Sequence, residues 1–161
     1  MRIRDYTDDD WASFWPIFQE IVAAGETYAY DPTWSSDEAR AIWVEPPPGG
    51  TVVAVEGDTV LGSAKFGPNR PGRGAHVATA SFMVAPTARG RGVGRALGAH
   101  AIGWARSRGF ASMQFNAVVE TNYAAVRLWE SFGFEIIGTV PEAFEHPTHG
   151  RVGLHVMYLR L

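Results

Sequence analysis

Cysteine is absent from the 161 residues, which excludes disulfide bridges, thiolate metal ligands and a cysteinyl acyl-enzyme. Any group transfer must use another nucleophile or pass directly from donor to acceptor. No window approaches the roughly 18 apolar residues of a membrane span, and the opening MRIRDYTDDDWASF lacks a basic stretch leading into a signal-like apolar run. These absences predict a cytoplasmic protein with no membrane partner. No pair or cluster of His and acidic residues has metal-ligand spacing, so no metal is expected. Acidic residues are missing from Thr59 to Val119, the stretch that holds Lys65, Arg70, Arg73, Arg89, Arg91, Arg95, Arg106 and Arg108. With a net charge of -3 over the whole chain, this pattern fits a discrete anionic ligand and argues against a nucleic-acid partner.

What is present suits a single domain over 1–161, with 46% hydrophobic and 12% aromatic residues to build its core. Arg2 to Tyr6 alternates like a strand, and Thr7 with Asp10 resembles a capping box that opens a helix through Phe14, Phe18 and Ile21 to about Gly25. Pro16 removes a backbone donor inside that helix and predicts a kink or restart near Trp15. Ser35 with Glu38 predicts a second, short helix through Trp43. Thr51–Val55 and Thr59–Phe66 read as a hairpin, and Asn69–Ala75 as a loop. A strand over His76–Val84, a helix over Gly92–Ser107, a strand over Ala111–Val118 and a helix over Thr121–Phe132 follow. Strands over Glu135–Val140 and Val152–Leu159 complete an α/β order with a mixed sheet covered on both faces.

The segment from Phe82 to Arg95, FMVAPTARGRGVGR, passes from strand to helix through a glycine-rich turn. Such a turn lets successive N–H groups line one concavity at a helix N-terminus, where a pyrophosphate fits, and Arg89, Arg91 and Arg95 add charge. A nucleotide P-loop would need Lys-Ser or Lys-Thr after the last glycine, where Arg95-Ala96 stands. A dinucleotide fold would need an acid about 20 residues on, where the chain reads Ser112-Met113-Gln114-Phe115.

Arg89-x-x-Gly92-x-Gly94 at this junction resembles the Q/R-x-x-G-x-G/A signature of the GCN5-related N-acetyltransferases, the GNAT family. Asn122 to Phe134, NYAAVRLWESFGF, resembles that family's N-x-x-A-x-x-L-Y-x-x-x-G-F segment. Phe115 to Asn122, FNAVVETN, is similar to a yeast enzyme that acetylates azetidine-2-carboxylate and other proline analogues, and to bacterial enzymes of the phosphinothricin acetyltransferase group.

The resemblance implies a single-domain GNAT fold: a mixed, largely antiparallel sheet of six to seven strands with about four helices, splayed between the fourth and fifth strands. It implies acetyl-CoA as co-substrate, bound by Met83, Val84, Arg89, Gly90, Arg91, Gly92, Val93, Gly94, Arg95 and Asn122. A bulge in the strand before the glycine turn would aim the N–H of Val84 or its neighbour at the acetyl carbonyl. The acceptor is the amine of a small molecule, above all an amino or imino acid, that attacks directly in a ternary complex; a peptide N-terminus, a lysine or an aminoglycoside is the alternative. A non-catalytic acetyl-CoA sensor is the reading from another class, and a homodimer is left open.

Asn116, read as ending its strand, would face the acceptor and Asn122 the pantetheine arm, with Glu26, Tyr28 and Thr79 around the amine. Asn116, Asn122 and Glu26 form the candidate catalytic set, and the aromatics Tyr28, Tyr30, Trp34, Phe144 and Trp129 the candidate pocket. His76, His146 and His149 are other candidates for the base. Two positions depart from the pattern. Trp129 stands where the family has a tyrosine able to protonate the thiolate, which leaves water, Tyr123 or the Asn122 amide. Thr79 stands where the yeast-like enzymes have an asparagine.

Overall fold

In the computed structural model, which describes residues 1–161, the first capping box forms. The Asp10 carboxylate accepts the Thr7 N–H at 2.8 Å and two guanidinium N–H groups of Arg4 at 2.7 Å each. The box opens a 3-10 turn over Asp8–Asp10, and helix α1 (Trp11–Ala24) follows directly. Pro16 does not restart it. Phe14, Ile17, Phe18, Ile21 and Val22 are buried along one side, and that burial outweighs a single missing backbone bond. Gly25 ends the helix in the left-handed conformation, at φ 65°. Helix α2 (Ser36–Trp43) begins at the Ser35–Glu38 box as predicted.

The seven strands are β1 (Arg2–Asp5), β2 (Gly50–Glu56), β3 (Thr59–Pro68), β4 (Val77–Val84), β5 (Ser112–Val119), β6 (Glu135–His146) and β7 (Gly150–Arg160). Helices α3 (Val93–Ser107) and α4 (Tyr123–Ser131) lie between β4 and β6 in the chain. The sheet order is β1-β2-β3-β4-β5-β7-β6, antiparallel throughout except for β4 and β5. Strand number, mixed pairing and four helices agree with the architecture that the resemblance implies.

Alternation along β3 assigns the helices to faces. Ser63 accepts the indole N–H of Trp43 in α2 at 2.9 Å, whereas Phe66 packs on Trp104 of α3 with ring centroids 4.7 Å apart. The α1/α2 side is a layer of aromatics, Trp11, Phe14, Phe18 and Trp43, packed in tilted and edge-on pairs. On the other side α4 docks through Trp129, which lies against Phe82 and Phe115 at 4.6 and 4.9 Å.

β6 and β7 are longer than the sequence suggested. β6 runs past Pro141 to His146, with a register break between Val140 and Phe144 and a positive φ at Glu142. As the edge strand it tolerates a proline, because one side of its backbone needs no ladder partner.

Candidate active site

β4 and β5 pair only at Val77–Ser112 and Ala78–Met113, and beyond that point they part. β4 keeps unbroken register with β3 from Pro68–Ala78 to Gly62–Val84, so the bulge expected in β4 is not there. It lies in β5: Phe115 faces Met157 and Val118 faces His155, which leaves one extra residue at Asn116–Ala117. A bulge bends its strand and increases its twist, and this one lies beyond the last β4–β5 pair, on the stretch of β5 that stays with β7. The gap is a cleft of about 820 Å³ that reaches both faces of the sheet.

On the α3/α4 face the cleft ends at the glycine turn. Gly90 and Gly92 have φ of 75° and 80°, a region that side chains enter only with strain. A Cβ on either would meet no atom within 4 Å, so the space above the turn is open. Gly92 is the N-cap of α3 and offers no side chain to its first-turn N–H groups, which therefore face outward with the positive end of the helix dipole. Arg89 and Arg95 line this end, and Arg95 also donates to Ser131 Oγ and lies over the Phe132 ring. Arg91 does not line it: its guanidinium pairs with Glu56 at 2.7 Å, an exposed pair that holds the Glu56 carboxyl below the usual range. The turn thus meets the demands of a coenzyme A pyrophosphate through backbone donors and two arginines.

On the α1/α2 face the lining is Glu26 to Tyr30, Thr79, Ser81, Asn116, Phe144 and Leu154. Tyr28 and Tyr30 stack at 5.2 Å and 14°. The Tyr28 hydroxyl donates to the Phe82 carbonyl at 2.7 Å and accepts the Phe82 N–H at 2.9 Å. Burial pushes the Tyr28 phenol well above its ordinary value, and burial followed by the Glu45 charge raises Tyr30. Both stay neutral near neutral pH and are poor bases. Since Phe82 turns its backbone into the gap, alternation turns the backbone of Val84 the same way and that of Met83 toward β3. The Val84 N–H thus faces the gap without a bulge in β4, while Met83, also in the lining, has a buried side chain.

Asn116 sits within β5, on the bulge, where it was expected to end the strand. Its amide donates to Asn69 Oδ1 at 2.6 Å and accepts from Gln114 at 2.9 Å. Asn122 lines the cleft and caps α4, accepting the Ala125 N–H at 3.4 Å; the preceding Thr121 has no partner for its buried hydroxyl. Glu26 is exposed in the loop after α1 and is the one acid of the lining, opposite in sign and position to Arg89 and Arg95. Trp129 is buried against Phe82, Phe115 and Phe134 at the floor. Tyr123 is 63% exposed and outside the lining.

Trp34 belongs to a separate groove of about 110 Å³ with Trp15 and Asp31. His76, His146 and His149 also lie outside the lining, His146 and His149 at the β6–β7 turn and His76 just before β4. The sequence reading missed Asn69, Gln114 and Ser81. Ser81 had a usable signal in its period-two spacing from Thr79, whereas Asn69 and Gln114 join the site only through Asn116. No three or more His, Asp or Glu side chains gather as a metal site, and no helix is long and apolar enough to cross a membrane.

The acetyltransferase (GNAT) family model matches residues 9–134. N-acetyltransferase aca1 of Schizosaccharomyces pombe is 30% identical over 137 residues, an alignment that covers 76% of this chain and 66% of the yeast protein. The chain thus spans just under two thirds of that relative's length. A GCN5-related N-acetyltransferase from Kribbella flavida superposes with a TM-score of 0.97 at 62% identity, over 99% of this chain and 97% of the other. Salmonella typhimurium yncA, solved with its cofactor acetyl-CoA, gives 0.84 at 29% identity over 100% and 94%.

Proposed function

The chain belongs to the GNAT acetyltransferase family, and from that premise we propose that it is an acetyl-CoA-dependent N-acetyltransferase that acetylates the amine of a small molecule, an amino or imino acid. The observation that carries this reading is the cleft itself: it joins an anion cradle on one face of the sheet to a pocket holding a single acid on the other. We assign it to the phosphinothricin acetyltransferase-like and proline-analogue-acetylating enzymes, acting as one domain over 1–161 in the cytoplasm.

When bound, acetyl-CoA supplies a thioester that an amine attacks directly and whose thiolate leaves. The backbone of Gly90 to Arg95 holds the pyrophosphate, and Arg89 and Arg95 add charge. The Val84 N–H, turned into the gap, stabilises the carbonyl oxygen as charge gathers on it. Asn116 and Thr79 orient the amine, and Glu26 attracts the ammonium and takes its proton through water. Asn122 holds the arm of the cofactor from the start of α4. Trp129 donates no useful proton, so the Asn122 amide or solvent meets the thiolate.

A thiol-release assay over amino acids, imino acids, aminoglycosides and N-terminal peptides tests the reading. Turnover on small amino or imino acids is expected. A preference for peptides or aminoglycosides would overturn the acceptor class, and coenzyme A binding without turnover on any amine would favour a sensor.

A further inference from the structure

We infer that the Tyr28 hydroxyl is a positioning residue for this reaction: it replaces the strand partner that β4 lacks at Phe82 and thereby fixes the acceptor loop against the reacting edge. The inference rests on the acetyl-transfer reading for its kinetic half and on geometry alone for its structural half.

A sheet edge inside a protein must still satisfy its N–H and C=O groups. β5 leaves β4 after Ala78, so Phe82 has no strand to bond on that side. One hydroxyl answers both needs, accepting from the Phe82 nitrogen at 2.9 Å and donating to its oxygen at 2.7 Å. Tyrosine does this on a rigid, apolar stem. The ring is held in turn, stacked on Tyr30 and edge-on to Trp43 at 6.3 Å and 75°. Trp43 is itself tied to Ser63 of β3, so the hydroxyl is clamped from the α2 side and cannot swing freely.

This bond joins positions 54 residues apart and ties the Glu26–Tyr30 segment to β4. Glu26 lies two residues before Tyr28. Losing the hydroxyl therefore loosens the acid of the acceptor half, and with it the register of the amine against the Val84 N–H. The glycine turn is unaffected, because it sits on the opposite face and is held by α3. With its pKa raised by burial, the phenol acts by holding rather than by exchanging protons.

The test is Tyr28→Phe in the full chain. Amide exchange followed by NMR should show the Phe82 N–H protected in the wild type and exchanging at least about tenfold faster in the variant, with Met83, which faces β3, unchanged. With the best amine found, kcat/KM for the amine should fall about tenfold or more, while the coenzyme A Kd stays within about twofold and the pH–rate limbs keep their positions. Ser36→Ala, which removes a bond to the Trp11 indole, should lower Tm without this kinetic signature. Rapid Phe82 exchange in the wild type, or unchanged exchange in the variant, overturns the inference. So does a variant kcat/KM within twofold of wild type, a parallel loss of coenzyme A affinity, or a lost pH limb. If the wild type acetylates no amine, the functional reading fails instead, and Phe82 exchange alone decides the positioning claim.

Discussion

Gly92 and Gly94 are two residues apart in one turn, yet the structure gives them different reasons to be glycine. Gly92 has φ 80° and open space around a hypothetical Cβ, so a side chain there meets no clash but pays the strain of a left-handed backbone, about 1–2 kcal/mol. Gly94 lies within α3 at an ordinary φ, and its Cβ would stand 3.5 Å from Leu128 and 3.8 Å from Val84, both of which line the cleft. Gly94→Ala should therefore leave folding unchanged or stabilise it by up to about 1 kcal/mol, and Gly92→Ala should destabilise it. For binding the two act together. Valine at both positions screens the first-turn N–H groups from an anion, and losing one or two hydrogen bonds to a charged group, each about 1.5–3 kcal/mol, weakens coenzyme A by roughly 2 kcal/mol or more. That is about thirtyfold in Kd. Calorimetry with coenzyme A on a Gly92→Val/Gly94→Val protein, with thermal unfolding to establish that it is folded, makes the measurement. An unchanged Kd in the folded double variant would refute the anion cradle.

Trp129→Phe should keep turnover within about tenfold while losing about 1–2 kcal/mol of stability in the aromatic floor, whereas loss of an essential acid would cost 10²-fold or more; steady-state rates and urea unfolding separate the two. Asn116→Ala should lower kcat/KM for the amine on the order of 10²-fold with little change in coenzyme A binding. Asn122→Ala should weaken coenzyme A and cost about 0.5–1 kcal/mol of stability through its cap. The Arg4 guanidinium, ahead of the Thr7 bonds, holds the Asp10 carboxyl below its ordinary value of 3.8. A depressed carboxylate stabilises the fold above its unfolded value and loses that contribution as pH falls through the folded one. Arg4→Met should therefore cost about 2 kcal/mol near neutral pH, a deficit that shrinks in acid below the folded value; a deficit independent of pH in urea titrations would contradict the assignment.

The glycine turn, the two capping boxes and the Asn122 to Phe134 segment were legible in the amino-acid order because each is decided by contacts within a few residues: a required φ, a side chain reaching its own helix start, an apolar stripe. The sheet could be read in outline for the same reason. The position of the bulge could not, since nothing in Phe115-Asn116-Ala117-Val118 states where β5 loses register with β7. Nor could Tyr28 on Phe82, Asn69 on Asn116 or Glu56 on Arg91, pairs 54, 47 and 35 residues apart in the chain. Pro16 was given too much weight, because a proline's local penalty of one bond is outweighed by a buried helix face, just as β6 runs through Pro141 at the sheet edge, where that penalty vanishes. Local order thus determined the glycine turn and the helix starts, and with them the family resemblance. The acceptor half was left to tertiary structure, which alone sets where two neighbouring strands part and which distant side chains satisfy the backbone they expose.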